Sequence, residues 1–177
     1  SGTPPEVASG NLFLDQLFGA EVVWCQREER DATLAKTYQD AQIAGRNPYL
    51  IPYGASNEIG ILGYYEAMRE LQSQITSIDW IVVASSSGGT LAGMLLGAKQ
   101  CGFSGRIMGI SIDCREAELK NIVRDLCRTG AKILPGNLQV DESEILVSDA
   151  YLGGGYAVLG QPEVEAIRLF ASLEGLL

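Results

Sequence analysis

The apolar run Trp80-Ile81-Val82-Val83-Ala84 leads directly into Ser85-Ser86-Ser87-Gly88-Gly89-Thr90, and the apolar sequence Leu91-Ala92-Gly93-Met94-Leu95-Leu96 follows at once. A buried strand that breaks at small residues and restarts as a helix aims several backbone N–H groups at one point, with the positive end of the helix dipole behind them. Such a point binds an anion. The side chains are short enough for a phosphate to touch the backbone, and the hydroxyls of Ser85, Ser87 and Thr90 add donors. The same residues also suit a tight turn whose glycines serve only packing, so spacing alone leaves both readings open. A Walker loop is excluded, because no lysine follows Gly93 in the required register. The three-glycine dinucleotide fingerprint is not matched either, although Asp113 stands after the next strand, Arg106 to Ile112, where a ribose-binding acid would fall.

A second group with chemical potential is the tyrosine-glycine segment Tyr151-Leu152-Gly153-Gly154-Gly155-Tyr156. Glycines give Tyr156 the freedom to reach into a cleft, and beside a cationic group a phenol serves as proton donor or acceptor. Packing of the ring over the loop is the alternative. Tyr151 is the weaker candidate of the two. Ser56 and Asn57 could hydrogen-bond a ligand oxygen, but Ser-Asn before a helix is also a capping signal.

Other chemistries are excluded by what the chain lacks. It contains no histidine, which removes histidine-based triads, and its cysteines, Cys25, Cys101, Cys114 and Cys127, show no zinc-type spacing. Reduced, mostly buried thiols are expected. A net charge of −9 with scattered basic residues argues against nucleic acid and anionic membranes as partners. No apolar run reaches the ~20 residues of a membrane span, no signal peptide is visible, and a cytoplasmic location is expected.

The elements that must position these residues follow from periodicity and breakers. Leu12 to Phe18 reads as a short amphipathic helix, Glu21 to Trp24 as a strand, and Glu28 to Ala44 as a helix ended by Gly45. After the break at Asn47-Pro48, a long helix spans Ile59 to Gln74, capped by Ser56 or Asn57 with Glu58 in its first turn. The Trp80 strand, the Leu91 helix and the Arg106 strand come next. Ala117 to Thr129 is a helix ended by Gly130, Glu144 to Ser148 a strand, and Pro162 to Leu173 a helix with proline in its first turn. Alternation of this kind predicts an α/β fold, a mostly parallel sheet with helices on both faces.

Four segments, in order, resemble the D-cysteine desulfhydrase and 1-aminocyclopropane-1-carboxylate deaminase family of pyridoxal-phosphate enzymes. They are Gly10-Asn11-Leu12-Phe13-Leu14-Asp15 through Gly19-Ala20-Glu21-Val22; Pro48 to Asn57 with Gly60, Gly63 and Tyr64; the Ser85 to Thr90 cup; and Tyr151 to Tyr156 with Glu165 to Leu169 and Glu174-Gly175. The departures are Ala55, Ser86 and Ala157, each where the family usually has glycine, and Leu159 where a proline is expected. At a positive φ the Cβ of Ser86 would cost about 1 kcal/mol.

The resemblance implies a tryptophan synthase β-like fold (fold type II), incomplete here, with residues 1–47 in a small mobile domain and 48–177 in the large phosphate-holding domain. It implies pyridoxal 5′-phosphate as cofactor, held by Ser85, Ser86, Ser87, Gly88, Gly89 and Thr90, with Tyr156 catalytic and Ser56, Asn57 and Tyr151 on the substrate. The family's Schiff-base lysine lies in an N-terminal segment and a second tyrosine segment follows Glu174-Gly175, so the sequence reads as an internal portion lacking both and inactive alone. Lys36, Lys99, Lys120 and Lys132 stand where solvated charge is expected. For the complete protein the expectation is a homodimer acting on a small amino acid, converting D-cysteine to pyruvate, sulfide and ammonia. The D-cysteine side is favoured by Tyr151 to Tyr156; deamination of 1-aminocyclopropane-1-carboxylate is the alternative. A non-catalytic phosphate-binding or assembly module, and a fold relative such as threonine dehydratase or O-acetylserine sulfhydrylase, are the other readings.

Overall fold

The computed structural model describes residues 4–75, 77–156 and 158–176. It divides into two compact units, one ending at Ile51 and one beginning at Pro52. Among the described residues, no helix is long and apolar enough to cross a membrane.

The first unit holds two helices, α1 (Gly10–Leu17) and α2 (Arg30–Ile43). A short 3-10 turn, Arg27–Glu29, precedes α2, and the Gln26 N–H donates to Glu29 Oε2 at 3.2 Å to cap it. Ala41 is the one buried residue among those described in this unit. The strand expected over Glu21 to Trp24 is not formed. Those residues are irregular and pair with no other strand, and Val22, Val23 and Trp24 remain exposed. A strand exists only by hydrogen bonding to a neighbour, so a β-prone sequence without a ladder partner stays unassigned backbone.

The second unit is built on three strands, β1 (Trp80–Ser85), β2 (Arg106–Ser111) and β3 (Leu146–Ser148), parallel and in that spatial order. Its helices are α3 (Leu62–Gln74), α4 (Gly89–Cys101), α5 (Glu116–Gly130) and α6 (Gln161–Glu174). This is the α/β class with a parallel sheet that the alternation of the sequence predicts. Register aligns Ser85 with Ser111, and Ile110 with Ser148, so the three strands end side by side. The loops that follow them therefore emerge on one edge, where ligands bind in parallel sheets.

α4 lies on the face of the sheet that carries Ile107 and Gly109, where a Cβ on Gly109 would stand 2.5 Å from Leu91 Cδ2. Leu91, Leu96, Leu119, Val123 and Ile145 are wholly buried in the resulting core, with Ile61 and Met68 added beside α3. Helices α3 and α4 touch at Gly93 and Gly97, where a Cβ would run into the Ile61 carbonyl oxygen and come within 2.6 Å of the Tyr65 carbonyl oxygen. On the other face of β1, Val82 is 63% exposed and the Arg106 guanidinium lies 5.3 Å from the centre of the Trp80 ring.

Two element boundaries shift for reasons the structure makes plain. The helix expected from Ile59 starts at Leu62, because the Asn57 side chain accepts from the N–H groups of Ile59 (3.1 Å) and Gly60 (2.7 Å) and closes a separate turn first. The strand expected from Glu144 starts at Leu146, because Glu142–Glu144 form a 3-10 turn in which the Asp141 N–H donates to Glu144 Oε2 at 2.9 Å.

All four cysteines are free, as expected, but only Cys127 is buried, whereas Cys25, Cys101 and Cys114 are half-buried. Burial of Cys127 under α4, with its Sγ 3.8 Å from the Ala92 carbonyl oxygen, pushes the thiol up to about 12. At pH 8 only about one such thiol in 10⁴ is ionised, so native protein treated with iodoacetamide stays unmodified at Cys127 by peptide mass spectrometry while unfolded protein reacts. Because the folded value lies above the unfolded 9.0, the stabilising contribution is complete below about pH 9 and is lost as pH rises through about 12.

Candidate functional site

The Ser85 to Thr90 turn sits at the carboxyl end of β1 and opens α4. Gly88 is the residue that makes the turn possible: it takes φ +78° and ψ −11°, in the left-handed region, and caps α4. The Ala92 N–H, bonded to the Gly88 carbonyl at 2.9 Å, is the first inside the helix, so the N–H groups of Gly89, Thr90 and Leu91 precede the intrahelical ladder. Among the described residues, no side chain caps this N-terminus. Ser85, 3% exposed, closes the turn from below, and its Oγ has no hydrogen-bond partner among the described residues. Donors left over in this way fit a phosphate group, which supplies acceptors in every direction.

A second loop, Tyr53 to Asn57, lies against the cup. Ser56 Oγ donates to Ser87 Oγ at 2.7 Å, and the Tyr53 hydroxyl lies 3.1 Å from Ser86 Oγ. The fit is close in both directions, since a Cβ on Gly54 would collide with Ser87 Oγ and one on Gly89 with Ser56 Oγ. Ala55 has φ +51°, the one non-glycine residue with positive φ among those described. The strain considered for Ser86 thus falls on Ala55 instead, at about 1 to 2 kcal/mol for a residue with a Cβ. Asn57 spends its side-chain oxygen on the two N–H groups of the turn that follows, so its capping role is realised one turn ahead of α3.

The turn after β2 adds a carboxylate. Ser86 Oγ donates to Asp113 Oδ2 at 2.7 Å. The turn carrying Asp113 is braced by the buried Ser111, whose Oγ donates to the Cys114 carbonyl at 2.6 Å. Burial pushes the Cys114 thiol up, and the charges of Asp113 and Glu118 add to that against the opposing Ser111 hydrogen bond, so the thiol there is a poor nucleophile. Neither Tyr53 nor the use of Asp113 stands out in the sequence: Tyr53 is one aromatic residue before a glycine turn, and Asp113 suggests a ribose acid only by position.

Tyr151 and Tyr156 emerge from the same edge of the sheet, after β3, and are 73% and 65% exposed. Their loop folds onto the start of α6, where the Gly160 N–H donates to Glu163 Oε2 at 2.9 Å. The loop's first residue also helps to cap α5, the Asp149 carboxylate accepting from the Glu116 N–H at 3.2 Å. No hydrogen bond joins either tyrosine to the cup among the described residues, so the structure brings together Ser56, Ser86 and Ser87 and leaves these two exposed and apart from that hydrogen-bonded group. The departure noted at Ala157 lies outside the described residues.

The lysines are placed as solvated charges. Lys36 pairs with Asp40 at 2.6 Å, Lys99 with Glu144 at 2.6 Å and Lys120 with Glu116 at 2.7 Å, and Lys132 is exposed. A Schiff base needs a desolvated amine, which none of these settings provides. Lys99 and Glu144 line a cavity of about 500 Å³ with Leu95, Phe103 and Arg106, at the amino ends of β2 and β3 and so at the opposite edge from the cup. Partial burial works against the Glu144 carboxylate, but the hydrogen bond and charge of Lys99 and the Asp141 N–H prevail and hold it below the usual range.

Similarity to known proteins agrees with this geometry. The chain is 32% identical over 182 residues to a Thermotoga maritima protein named as a candidate 1-aminocyclopropane-1-carboxylate deaminase, covering 97% of this chain and 56% of the relative. It superposes on the crystal structure of an ACC deaminase homologue with a TM-score of 0.83 and 29% identity, covering 98% of this chain and 54% of that one. The chain thus spans about half the length of both. The family model for pyridoxal-phosphate dependent enzymes matches residues 2–177, which places the chain, with its parallel sheet, in the pyridoxal-phosphate dependent enzyme family.

Proposed function

We propose that the protein containing this chain is a pyridoxal-phosphate-dependent lyase or deaminase acting on a small amino acid, with D-cysteine as substrate. The observation that carries the reading is the N-terminus of α4, uncapped among the described residues, with Gly88 left-handed and the Ser85 hydroxyl unpartnered among them, at the carboxyl edge of a parallel sheet. The N–H groups of Gly89, Thr90 and Leu91 would hold the phosphate, and the hydroxyls of Ser87 and Thr90 would complete its shell. When bound, the cofactor supplies an electron sink for negative charge beside the substrate amino group. The chain's own contribution is orientation and proton handling: the loop of Ser56 and Asn57 covers the cup, Tyr151 contacts substrate, and the Tyr156 hydroxyl moves a proton at the substrate. Residues 1–47 act as the small domain and 48–177 as part of the large one, in a cytoplasmic homodimer.

The D-cysteine assignment draws on the Tyr151 to Tyr156 segment. The competing substrate, 1-aminocyclopropane-1-carboxylate, is favoured by the names of the relatives. The products separate them. D-cysteine plus water gives pyruvate, hydrogen sulfide and ammonia, and the cyclopropane substrate plus water gives 2-oxobutanoate and ammonia. Full-length protein purified with cofactor and offered each substrate should release sulfide and pyruvate from D-cysteine. Release of 2-oxobutanoate alone reassigns the substrate, and no product from either, with phosphate binding intact, supports a binding module.

A further inference from the structure

The cavity at the amino ends of β2 and β3 lies apart from the cup and has a composition of its own. Its volume of about 500 Å³ is within the range of small-molecule sites. Leu95 from α4, Phe103 from the turn after it, Ile107 from β2 and Leu146 from β3 give it apolar walls. Its charged lining is Lys99, Arg106 and Glu144, two cations against one carboxylate. That carboxylate is already engaged at both oxygens. Glu144 Oε1 pairs with Lys99 Nζ at 2.6 Å, and Oε2 accepts from the Asp141 N–H at 2.9 Å. Lys99 stands in the last turn of α4, where a cation also suits the negative end of the helix dipole, so its charge is accounted for. Arg106 is the uncompensated one. Among the described residues its guanidinium carbon lies over the Trp80 ring, 5.3 Å from the centroid, and pairs with no carboxylate. An aromatic ring against the face of a guanidinium leaves its edge N–H groups for an anion.

Walls and charge together define what such a cavity takes. An apolar body fits the walls, and one negative charge balances the lining. Size narrows the class further, because sites of this volume hold ligands well beyond pyruvate or 2-oxobutanoate, so the small acids that the proposed reaction would release fill little of it. We propose that this cavity is a second ligand site, which binds a monocarboxylate bearing an apolar chain or ring, with its carboxylate on Arg106 and its hydrocarbon against Leu95, Phe103, Ile107 and Leu146. β2 runs six residues, about 17 to 20 Å, from Arg106 to the edge that carries the cup, so an acid bound here does not touch a molecule held there. The site does not depend on what the cup binds.

Calorimetric titration of the full-length protein, purified with cofactor, against three probes separates the contributions. 3-Phenylpropanoate carries both charge and ring, 3-phenylpropan-1-ol the ring alone, and acetate the charge alone. The propanoate should bind about tenfold more tightly than the alcohol, the scale of one hydrogen bond to a charged group, and acetate should show no saturable binding at millimolar concentrations. Arg106→Gln should lower affinity for the propanoate about tenfold, close to that of the alcohol, and leave the alcohol unchanged. Glu144→Gln should act in the opposite direction and raise propanoate affinity several-fold, because it removes the lining's carboxylate and frees Lys99, while the glutamine carbonyl still accepts from the Asp141 N–H. Damage to the fold would weaken binding in both variants, so opposite shifts report the charge of the lining. Equal binding of acid and alcohol, or no saturable binding of the acid, overturns the proposal. Acid affinity indifferent to Arg106→Gln overturns it as well, since the acid is then bound elsewhere.

Discussion

Replacing Tyr156 with phenylalanine in the full-length, cofactor-loaded protein should lower turnover by about 10² to 10⁴ and leave cofactor affinity nearly unchanged. The expectation follows from position. Tyr156 is 65% exposed, on a loop that leaves the same sheet edge as the cup and makes no hydrogen bond to it among the described residues. Removing the hydroxyl therefore leaves the phosphate donors untouched and takes away a group assigned to proton transfer. A ring that only packs would behave differently, since phenylalanine keeps nearly all of its apolar area. Steady-state kinetics with D-cysteine, beside a titration of the apoenzyme with cofactor, give both quantities. Turnover at the wild-type level removes Tyr156 from the catalytic assignment.

Gly88→Val should be the most damaging single change in the cup. Valine is β-branched, and φ +78° costs an L-residue about 1 to 2 kcal/mol before any contact is counted. The new Cβ would also stand 2.9 Å from Ile122 Cγ2 and 3.2 Å from Val123 Cγ2, with α5 packed directly behind the turn. Overpacking of this kind costs about 1 to 3 kcal/mol more. The two effects act on one residue, so relief of either means moving the start of α4, and with it the N–H groups proposed to hold the phosphate. We expect a loss of about 2 to 5 kcal/mol in urea unfolding and at least a hundredfold loss of phosphate affinity. Gly88→Ala should fall between wild type and valine in both. A valine variant with wild-type stability and binding shows that the turn does not depend on a left-handed Gly88.

How far such features can be read from sequence depends on their range along the chain. The order of strand, small-residue turn and helix at Trp80 to Leu96 is a local pattern, and the structure forms it with β1 ending at Ser85 and α4 beginning at Gly89. Glu21 to Trp24 has the composition of a strand and fails to become one, because pairing needs a neighbour that composition cannot supply. The late start of α3 is intermediate: Asn57 is visible as a cap, but whether it closes the helix or a turn before it depends on where Gly60 meets the Ala55 carbonyl.

The amino-acid sequence by itself determined the α/β alternation, the glycine-hydroxyl cup and the exclusion of histidine and zinc chemistry, since each depends on residue type or on spacing within a few residues. Only the tertiary structure decided that Tyr53, 33 residues from Ser86, and Asp113, 27 residues from it, both hydrogen-bond to the Ser86 hydroxyl. It likewise decided that the backbone strain sits at Ala55 and not at Ser86. The physical reason is common to both. Periodicity and turn chemistry act between near neighbours, whereas a side chain's partner and a loop's φ are set by what the packed sheet and helices bring against it.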